Sequence, residues 1–367
     1  MNFKIFQPPD RNFWVCRAER GRHFGHFMKH NLIAMSHFDK VADIPTKDRE
    51  ATQERLQRYI NTTKIKKKTA STYINQTLHF IFDAKIGDLV ITIDHDTIGI
   101  GKITSNAYFE KKRLYIKSSV RGKDLDLEME SYLRRDVNWV GFVHRYLLPH
   151  KLQKAISSQL TFFSLNEREN EIYSLISPFV YKSDHLFTNL NITKKTDISA
   201  YHYQLLTNTV LKCEFLAKQL PELKNIKSEA ELQKAFENFC RNDKSKTSLK
   251  AEFSSPGWTG FDVFLVLAGA GVFMQFFCNA LAGGKTKLTI TKEQGVDFSS
   301  ESNGLLESDA VKYITKNSTD VALKHIDAWL LKDNPQALQD QLQLRDPGTN
   351  VDSKLLEDTK KPSKNDK

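Results

Sequence analysis

The first 167 residues show the short apolar runs that are typical of a β-rich domain. In "KIGDLVITIDHDTIGIGKITSNAYF", residues 85–109, two β-branched runs flank an acidic turn, which predicts a β-hairpin. Further strands are predicted at 13–18, 31–38, 111–120 and 134–143. Helical spacing of apolar residues predicts helices at 47–63, 69–85 and 149–157. Short strands around a few helices indicate a small, strongly bent sheet or barrel.

The polar segment "NEREN", residues 166–170, separates this region from a second one with a different pattern. There, long amphipathic helices alternate with strands, so we predict an α+β domain. Ser228 and Glu231 form a capping-box pattern at the start of one helix. The predicted division is 1–167, 168–332 and a polar tail, 333–367, which we expect to be disordered.

An apolar run, "VFLVLAGAGVFMQFFCNALA" at 263–282, is long enough to cross a bilayer as a helix. It contains Gln275 and Asn279, and basic residues follow it. The positive-inside rule would then place the basic first half outside the cell. A buried core helix is the preferred interpretation, and a membrane-acting effector is the alternative.

The net charge of +10 is confined to the first half of the chain. Residues 1–170 contain 29 Lys/Arg and 19 Asp/Glu, whereas the remainder contains 25 of each. A basic domain beside a neutral one indicates a polyanionic partner, and we expect nucleic acid. A basic domain without such a partner is the alternative.

The cysteines indicate a reducing, cytoplasmic setting. The four thiols show neither CxxC pairs nor the spacing of secreted scaffolds, and the chain opens without an apolar signal segment. These cysteines are Cys16, Cys213, Cys240 and Cys278.

No arrangement of residues predicts a catalytic, metal or cofactor site. The acidic run at 124–130 lacks the following lysine of a metal-dependent nuclease and is interpreted as a solvated loop. Residues 94–96 are interpreted as a turn. The spacing of Cys16 and His23, His26 and His30 matches no zinc pattern. "NALAGGKTK" lacks the upstream glycine of a phosphate-binding loop.

Four sequence blocks occur in a characteristic order along residues 13–165. They are "WVCRAERGRHFGHFMKHNLIAM", "TLHFIFDAKIGDLVIT", "IGIGKITSNAYF" and "RRDVNWVGFVHRYLLPHKLQKAISSQLTFFSL". This order resembles the PUA-like domain that precedes Mrr-type restriction nucleases and occurs in related prokaryotic defence proteins. The matching positions are Trp14, Arg17, Ala18, Phe82, Ile86, Gly87, Asp88, Val90, Gly101, Ile103, Tyr108, Val137, Trp139, Arg145, Leu148 and Pro149.

The resemblance implies a bent β-barrel related to the EVE and YTH readers of modified bases. Glycines 99 and 101 would let the central strand bend, and the next turn would face a pocket. A flipped base would be held there between aromatic faces. The expected pocket residues are Trp14, Arg17, Ser105, Asn106, Tyr108 and Trp139. Core packing is the alternative role for the two tryptophans.

Two basic runs are the expected phosphate contacts, with ordinary surface lysines as the alternative. They are Lys64, Lys66, Lys67 and Lys68, and Lys111, Lys112 and Arg113. The nuclease domain that usually follows is missing from residues 168–332, so nuclease activity is not transferred.

The sequence thus predicts a non-catalytic nucleic-acid-binding protein, with DNA as the favoured partner and defence as its setting. Its second domain would serve assembly or signalling through a protein partner or a second copy. A nuclease with a cryptic or partner-completed active site is the alternative.

Overall fold

A computed structural model gives the α+β fold that the sequence predicts. It describes residues 2–41, 44–63, 65–120, 123–177, 179–192, 199–242, 245, 247–252, 257–282, 287–292, 297–298, 316–342 and 344–345. The chain forms two compact units. One contains residues 10–172, and the other contains residues 1–9 together with 173–348.

The helices follow the amphipathic segments of the sequence. In chain order they are α1 (Phe24–His30), α2 (Arg49–Asn61), α3 (Lys67–Leu78), α4 (His150–Ile156), α5 (Glu169–Tyr173), α6 (Ala200–Gln219), α7 (Glu229–Arg241), α8 (Leu267–Ala282), α9 (Asp320–Leu331) and α10 (Ala337–Leu342). A wider π-helical turn, His79–Asp83, extends α3. One half of the predicted capping box of α7 is confirmed, because Ser228 Oγ accepts the amide N–H of Glu231 at 3.2 Å. The carboxylate of Glu231 accepts the amide N–H of Lys227 at 2.9 Å.

The strands are shorter and more numerous. They are β1 (Asn2–Gln7), β2 (Phe13–Cys16), β3 (Leu32–Met35), β4 (Leu89–Ile93), β5 (Thr97–Ile103), β6 (Tyr108–Phe109), β7 (Leu114–Val120), β8 (Lys123–Met129), β9 (Leu133–His144), β10 (Phe162–Ser164), β11 (Phe179–Lys182), β12 (His185–Ile192), β13 (Ser248–Glu252), β14 (Gly257–Phe264), β15 (Lys287–Lys292), β16 (Asp297–Phe298) and β17 (Leu344–Arg345).

The unit of residues 10–172 is built on one curled, half-barrel sheet. Its strand order is β10-β2-β4-β5-β9-β3, and β6 pairs with β9. Strands β2 and β4 are parallel, and β4, β5 and β9 pair antiparallel. The predicted hairpin is therefore β4–β5. A separate two-stranded ribbon is formed by β7 and β8.

A glycine lets the sheet bend at its centre. The register between β5 and β9 shifts between Ile100 and Gly101. A Cβ atom at Gly101 would lie 2.3 Å from Val137 Cγ1 and 2.7 Å from the Trp139 ring. Only glycine allows this close approach of the two strands.

Arg135 anchors α3 and its π-helical turn to the sheet. Its guanidinium is buried on β9 and donates to four carbonyl oxygens. These belong to Phe80 (2.7 Å), Ile81 (2.9 Å), Ala84 (2.7 Å) and Ser105 (3.0 Å). Arg135 thus satisfies the free carbonyls at the end of the helical segment.

The second unit is a mixed sheet that packs against helices. Its order is β13-β14-β12-β11-β1-β15-β16, and β17 also pairs with β12. Strand β1 is parallel to both β11 and β15. Its core joins β12 and β14 to α6 and α8 through buried residues such as Leu186, Val263 and Phe277.

The apolar run of residues 263–282 contains two elements rather than one helix. Residues up to Phe264 belong to β14, and α8 begins only at Leu267. A buried strand and a buried helix are both continuously apolar, so the run conceals the boundary between them. The side chains of 269–281 are all buried. Among the described residues, no helix combines the length and apolar character that crossing a membrane requires.

Two further segments differ from their predictions. The acidic residues of 124–130, interpreted as a loop, lie mostly in β8, where they alternate with Leu125, Leu127 and Met129. The polar tail predicted from residue 333 begins with ordered structure, because α10 buries Leu338 and Leu342 in the core. Residues 346–367 lie outside the described part of the chain.

Candidate nucleic-acid interface

Three loops of the unit of residues 10–172 form a small pocket lined by arginines. Its volume is about 190 Å³. The residues that line it are Arg17, Arg20, Ile93, Asp94, His95 and Arg145.

The strand order explains why these residues meet. Because β2 and β4 are parallel, their carboxyl ends reach the same edge of the sheet. Strand β5 begins at that edge with Thr97, which pairs with His144 at the end of β9. The loops after β2, β4 and β9 therefore converge, although they are far apart in the sequence.

The loop after β2 has an unusual backbone. Glu19, Arg20 and Gly21 have φ angles of 47°, 59° and 92°, so three consecutive residues are in the left-handed region. For the two residues with side chains, this conformation costs roughly 1 kcal/mol each. The amide of His23 donates to the carbonyl of Ala18 at 3.0 Å and closes the loop. A strained turn thus presents Arg20 at the pocket.

Gly21 brings this loop against the β4–β5 turn. A Cβ atom at Gly21 would lie 2.5 Å from Asp94 Oδ1. The acidic turn of the predicted hairpin is thus one wall of the pocket. Asp94 lines the pocket together with Arg17, Arg20 and Arg145.

The arginines are fixed by carbonyl oxygens. Arg17 Nη2 donates to the carbonyl of Ile156 at 2.7 Å, and Arg145 Nη1 donates to that of His95 at 3.2 Å. Arg17 Nε is buried and has no hydrogen-bond partner. Within the described ranges, neither these arginines nor Arg20 forms an ion pair with a carboxylate.

Burial lowers the pKa of Arg17, and the nearby positive charge of Arg145 lowers it further. Both guanidinium groups remain charged at neutral pH, because arginine is protonated in any protein environment of this kind. The pocket therefore holds positive charges that repel one another. An anion placed between them would relieve this repulsion.

An exposed aromatic residue adjoins the pocket. Tyr146 follows Arg145 directly, and 72% of its surface is exposed. Its ring stacks on that of His144 with centroids 5.5 Å apart and an interplanar angle of 16°. The outer face of such a stacked pair is a platform for a nucleic-acid base.

Trp14, which the sequence places in a base pocket, lies in the core. It is 6% exposed, and its ring stacks on Phe162 at 5.0 Å and lies 6.1 Å from His79. Its Nε1 donates to Asp88 Oδ2 at 2.9 Å. In this position the indole supports β2 and β4 rather than facing the arginine pocket.

Ser105, Asn106 and Tyr108 form a separate cluster. Tyr108 Oη donates to Asp136 Oδ1 at 2.7 Å, and Ser105 Oγ accepts the Asp136 amide at 2.8 Å. Burial and this hydrogen bond raise the pKa of Tyr108. The cluster follows β5, whereas the pocket precedes it. Seven strand residues separate the two sites by about 20 Å.

Trp139 is half-buried over Gly101, and its Nε1 donates to the carbonyl of Phe27 at 2.9 Å. Of the six residues expected in a base pocket, only Arg17 lines the arginine pocket. The structure does not bring the six together in one place.

The predicted phosphate contacts differ in whether an acidic side chain already pairs with them. Exposed side chains are found at Lys66, Lys67, Lys68, Lys111 and Lys112. Arg113 instead pairs with Glu128 at 2.9 Å and Glu130 at 2.8 Å. Lys64 lies outside the described residues.

Comparison with protein-family models, with curated proteins and with solved structures finds no match for this chain. The function is therefore argued from the pocket itself.

Sequence reasoning missed Arg20, His95 and Tyr146, and it used Arg145 only as a family marker. Each of these residues directly follows or flanks a predicted strand. The sequence does not show the strand order, and the strand order determines which loops lie at the same edge of the sheet.

Proposed function

We propose that the unit of residues 10–172 binds nucleic acid and holds a phosphate in the arginine pocket. The observation that carries this proposal is the convergence of three guanidinium groups that lack carboxylate partners in the described structure. Guanidinium groups bind phosphate oxygens through charge-assisted, often paired hydrogen bonds. The positive charge of the first half of the sequence supports the same partner.

Tyr146 extends the proposed interface to a base. A strand whose phosphate occupies the pocket can place an unpaired base on the exposed tyrosine. DNA is the favoured polymer, and a modified base remains part of the proposal through the PUA-like resemblance. Trp139, the less buried of the two predicted tryptophans, stays a candidate for base binding, as do Ser105, Asn106 and Tyr108.

The test is binding of the full chain to DNA and RNA over a series of salt concentrations. Phosphate contacts require that affinity fall as salt rises. We expect Arg145→Gln and Arg17→Gln to weaken binding about tenfold each and to reduce the salt slope by about one. Arg58→Gln on α2 is the matched control, because Arg58 is an exposed arginine outside the pocket.

Two results would overturn the proposal. One is a wild-type chain that retains neither DNA nor RNA at low salt. The other is a pair of folded pocket variants that bind as tightly as Arg58→Gln, which would move the phosphate site elsewhere.

The base platform has its own test. Tyr146→Ala should weaken binding of single-stranded DNA about tenfold, since stacking on an aromatic ring contributes roughly 1–3 kcal/mol per base. Tyr146→Phe keeps the ring and should bind normally. Equal binding by the alanine and phenylalanine variants would remove Tyr146 from the interface.

A further inference from the structure

The charges that line the arginine pocket are unbalanced. Three arginines line it beside one acidic residue, Asp94. The excess is therefore two positive charges inside a volume of about 190 Å³.

The two excess positive charges of the pocket do not match the single negative charge of a phosphate within a strand. An internal phosphodiester carries a single negative charge. A phosphate attached through one ester bond loses its second proton with a pKa near 6 and is close to a dianion at neutral pH. The dianion balances the pocket, whereas the diester leaves one positive charge uncompensated.

The size of the pocket favours the same group. Pockets for whole small molecules usually exceed about 300 Å³. A volume of about 190 Å³ accommodates a phosphate and its ester oxygen but not a complete nucleotide.

Arg17, which lines the pocket, has one buried nitrogen, Nε, without a hydrogen-bond partner in the described structure. A buried donor without an acceptor costs about 1–3 kcal/mol. Nη2 of the same guanidinium is held by Ile156, so the group is fixed in place. A terminal phosphate has three unesterified oxygens, whereas a diester has two.

We propose that the arginine pocket binds the terminal phosphomonoester of a nucleic-acid strand. This inference rests on the proposed nucleic-acid function and names the part of the strand that the pocket recognises. A free phosphate or a mononucleotide presents the same chemistry, so the experiment separates these sources.

The experiment measures the full chain against one single-stranded oligonucleotide with different ends. Its 5′ and 3′ ends carry either hydroxyl or phosphate groups, and ionic strength is kept near physiological. We expect one phosphorylated end to bind at least tenfold more tightly than the same strand with hydroxyl ends. Inorganic phosphate and the mononucleotide are titrated as competitors and should compete only at much higher concentrations.

Arg20 provides the variant that tests the pocket. Arg20→Gln should abolish the preference for the phosphorylated end, so that its affinities for the phosphorylated and the hydroxyl strand become equal. Arg20→Asn is a second variant, because asparagine tolerates the left-handed backbone at this position. Arg58→Gln should keep the full preference.

Three outcomes would overturn this inference, and they differ in whether the proposed nucleic-acid function survives. Equal binding of phosphorylated and hydroxyl ends would refute end recognition and leave general nucleic-acid binding intact. Loss of preference in Arg58→Gln as well as Arg20→Gln would place recognition outside the pocket. Competition by inorganic phosphate or the mononucleotide as strong as that of the oligonucleotide would show a small-molecule ligand and would also overturn the proposed function.

Discussion

Two groups of arginines in the same unit of residues 10–172 have opposite surroundings. Arg134 and Arg135 are fully buried on β9, and protein oxygens accept their hydrogen bonds. Arg17 and Arg145 lie at the sheet edge, where each donates to one carbonyl oxygen of the described structure and their charges repel. The number of protein oxygens that accept hydrogen bonds from an arginine, and not burial alone, distinguishes the two groups. Arginines with several acceptors stabilise the fold, and arginines with few acceptors can bind a ligand.

Burial acts on both groups in the same direction. It lowers the pKa of Arg135 to about 10, and it lowers the pKa of Arg17 with help from Arg145. Four carbonyl oxygens replace the water molecules that the guanidinium of Arg135 loses on burial. For Arg17 this replacement is partial, and a ligand can supply the remainder.

The largest expected effect comes from removing Arg135. Arg135→Met leaves four buried or half-buried carbonyl oxygens without a donor, so we expect a loss of roughly 3 kcal/mol or more. Denaturant unfolding of the variant measures it. A midpoint close to that of the wild type would contradict the structural role of Arg135.

The same substitution at Arg17 tests the second group of arginines. Arg17→Met should change the unfolding free energy by about 0.5 kcal/mol or less, because one bond to Ile156 is lost while repulsion by Arg145 is relieved. If both methionine variants unfold alike, the division into two groups of arginines is wrong.

An effect smaller than that at Arg135 is expected at Trp14, which is buried in the core. Trp14→Phe loses the bond from Nε1 to Asp88, while the amides of Asn12 and Lys85 still donate to that carboxylate. We expect a loss of about 2 kcal/mol and an unchanged affinity of the folded protein for DNA. Weaker DNA binding by a folded Trp14→Phe variant would return Trp14 to the binding site.

The charge state of Asp39, which lies near Arg134, should make the stability of the protein depend on pH. Burial, and then the charges of Glu19 and Glu130, raise the pKa of Asp39 to about 7, although the Tyr132 amide and Arg134 oppose the shift. The folded state therefore binds a proton that the unfolded state releases, between about pH 4 and pH 7. Stability should fall as pH rises through this window.

Asp39→Asn removes that titration. The variant should exceed the wild type by about 1 kcal/mol at pH 8, a value reduced for solvent screening of a half-buried group, and should match it near pH 4, where the window begins. Thermal unfolding at both pH values measures the difference. An advantage that is equal at both pH values would exclude titration of Asp39 as its cause.

The smallest effect is expected at Arg113. Its ion pairs with Glu128 and Glu130 are exposed, so Arg113→Gln should leave the melting temperature within experimental error. Its affinity for DNA should change less than that of Arg145→Gln, because two carboxylates already compensate the charge. A larger loss than in Arg145→Gln would place the main phosphate contact on the β7–β8 ribbon.

Local patterns carried enough information to predict much of the fold. Residues 85–109 predict the hairpin β4–β5, and the pattern at 47–63 predicts α2, because side-chain periodicity depends only on neighbouring residues. The boundary at Phe264 and Leu267 was missed, since burial makes both elements apolar. Strand β8 was missed because Asp124, Asp126 and Glu128 give this segment the composition of a solvated loop.

The candidate site was less predictable because it depends on contacts between distant segments. Arg17 and Arg145 meet only after β2, β4, β5 and β9 have assembled in that order. Trp14 looked available for a base, yet its hydrogen bond to Asp88 and its stacking on Phe162 place it inside. Residue type suggested the chemistry, and strand pairing decided which residues share a pocket.

The position of β1 has a consequence for synthesis. Its Phe3 pairs with Leu288 of β15, while the unit of residues 10–172 is encoded between these two strands. On a ribosome, residues 10–172 emerge complete and can fold early, as domains generally do. The first strand can pair with β11 only after residue 182 has been translated, and with β15 only after residue 292. Premature termination before β15 would therefore release a chain whose opening strand lacks a partner on one side.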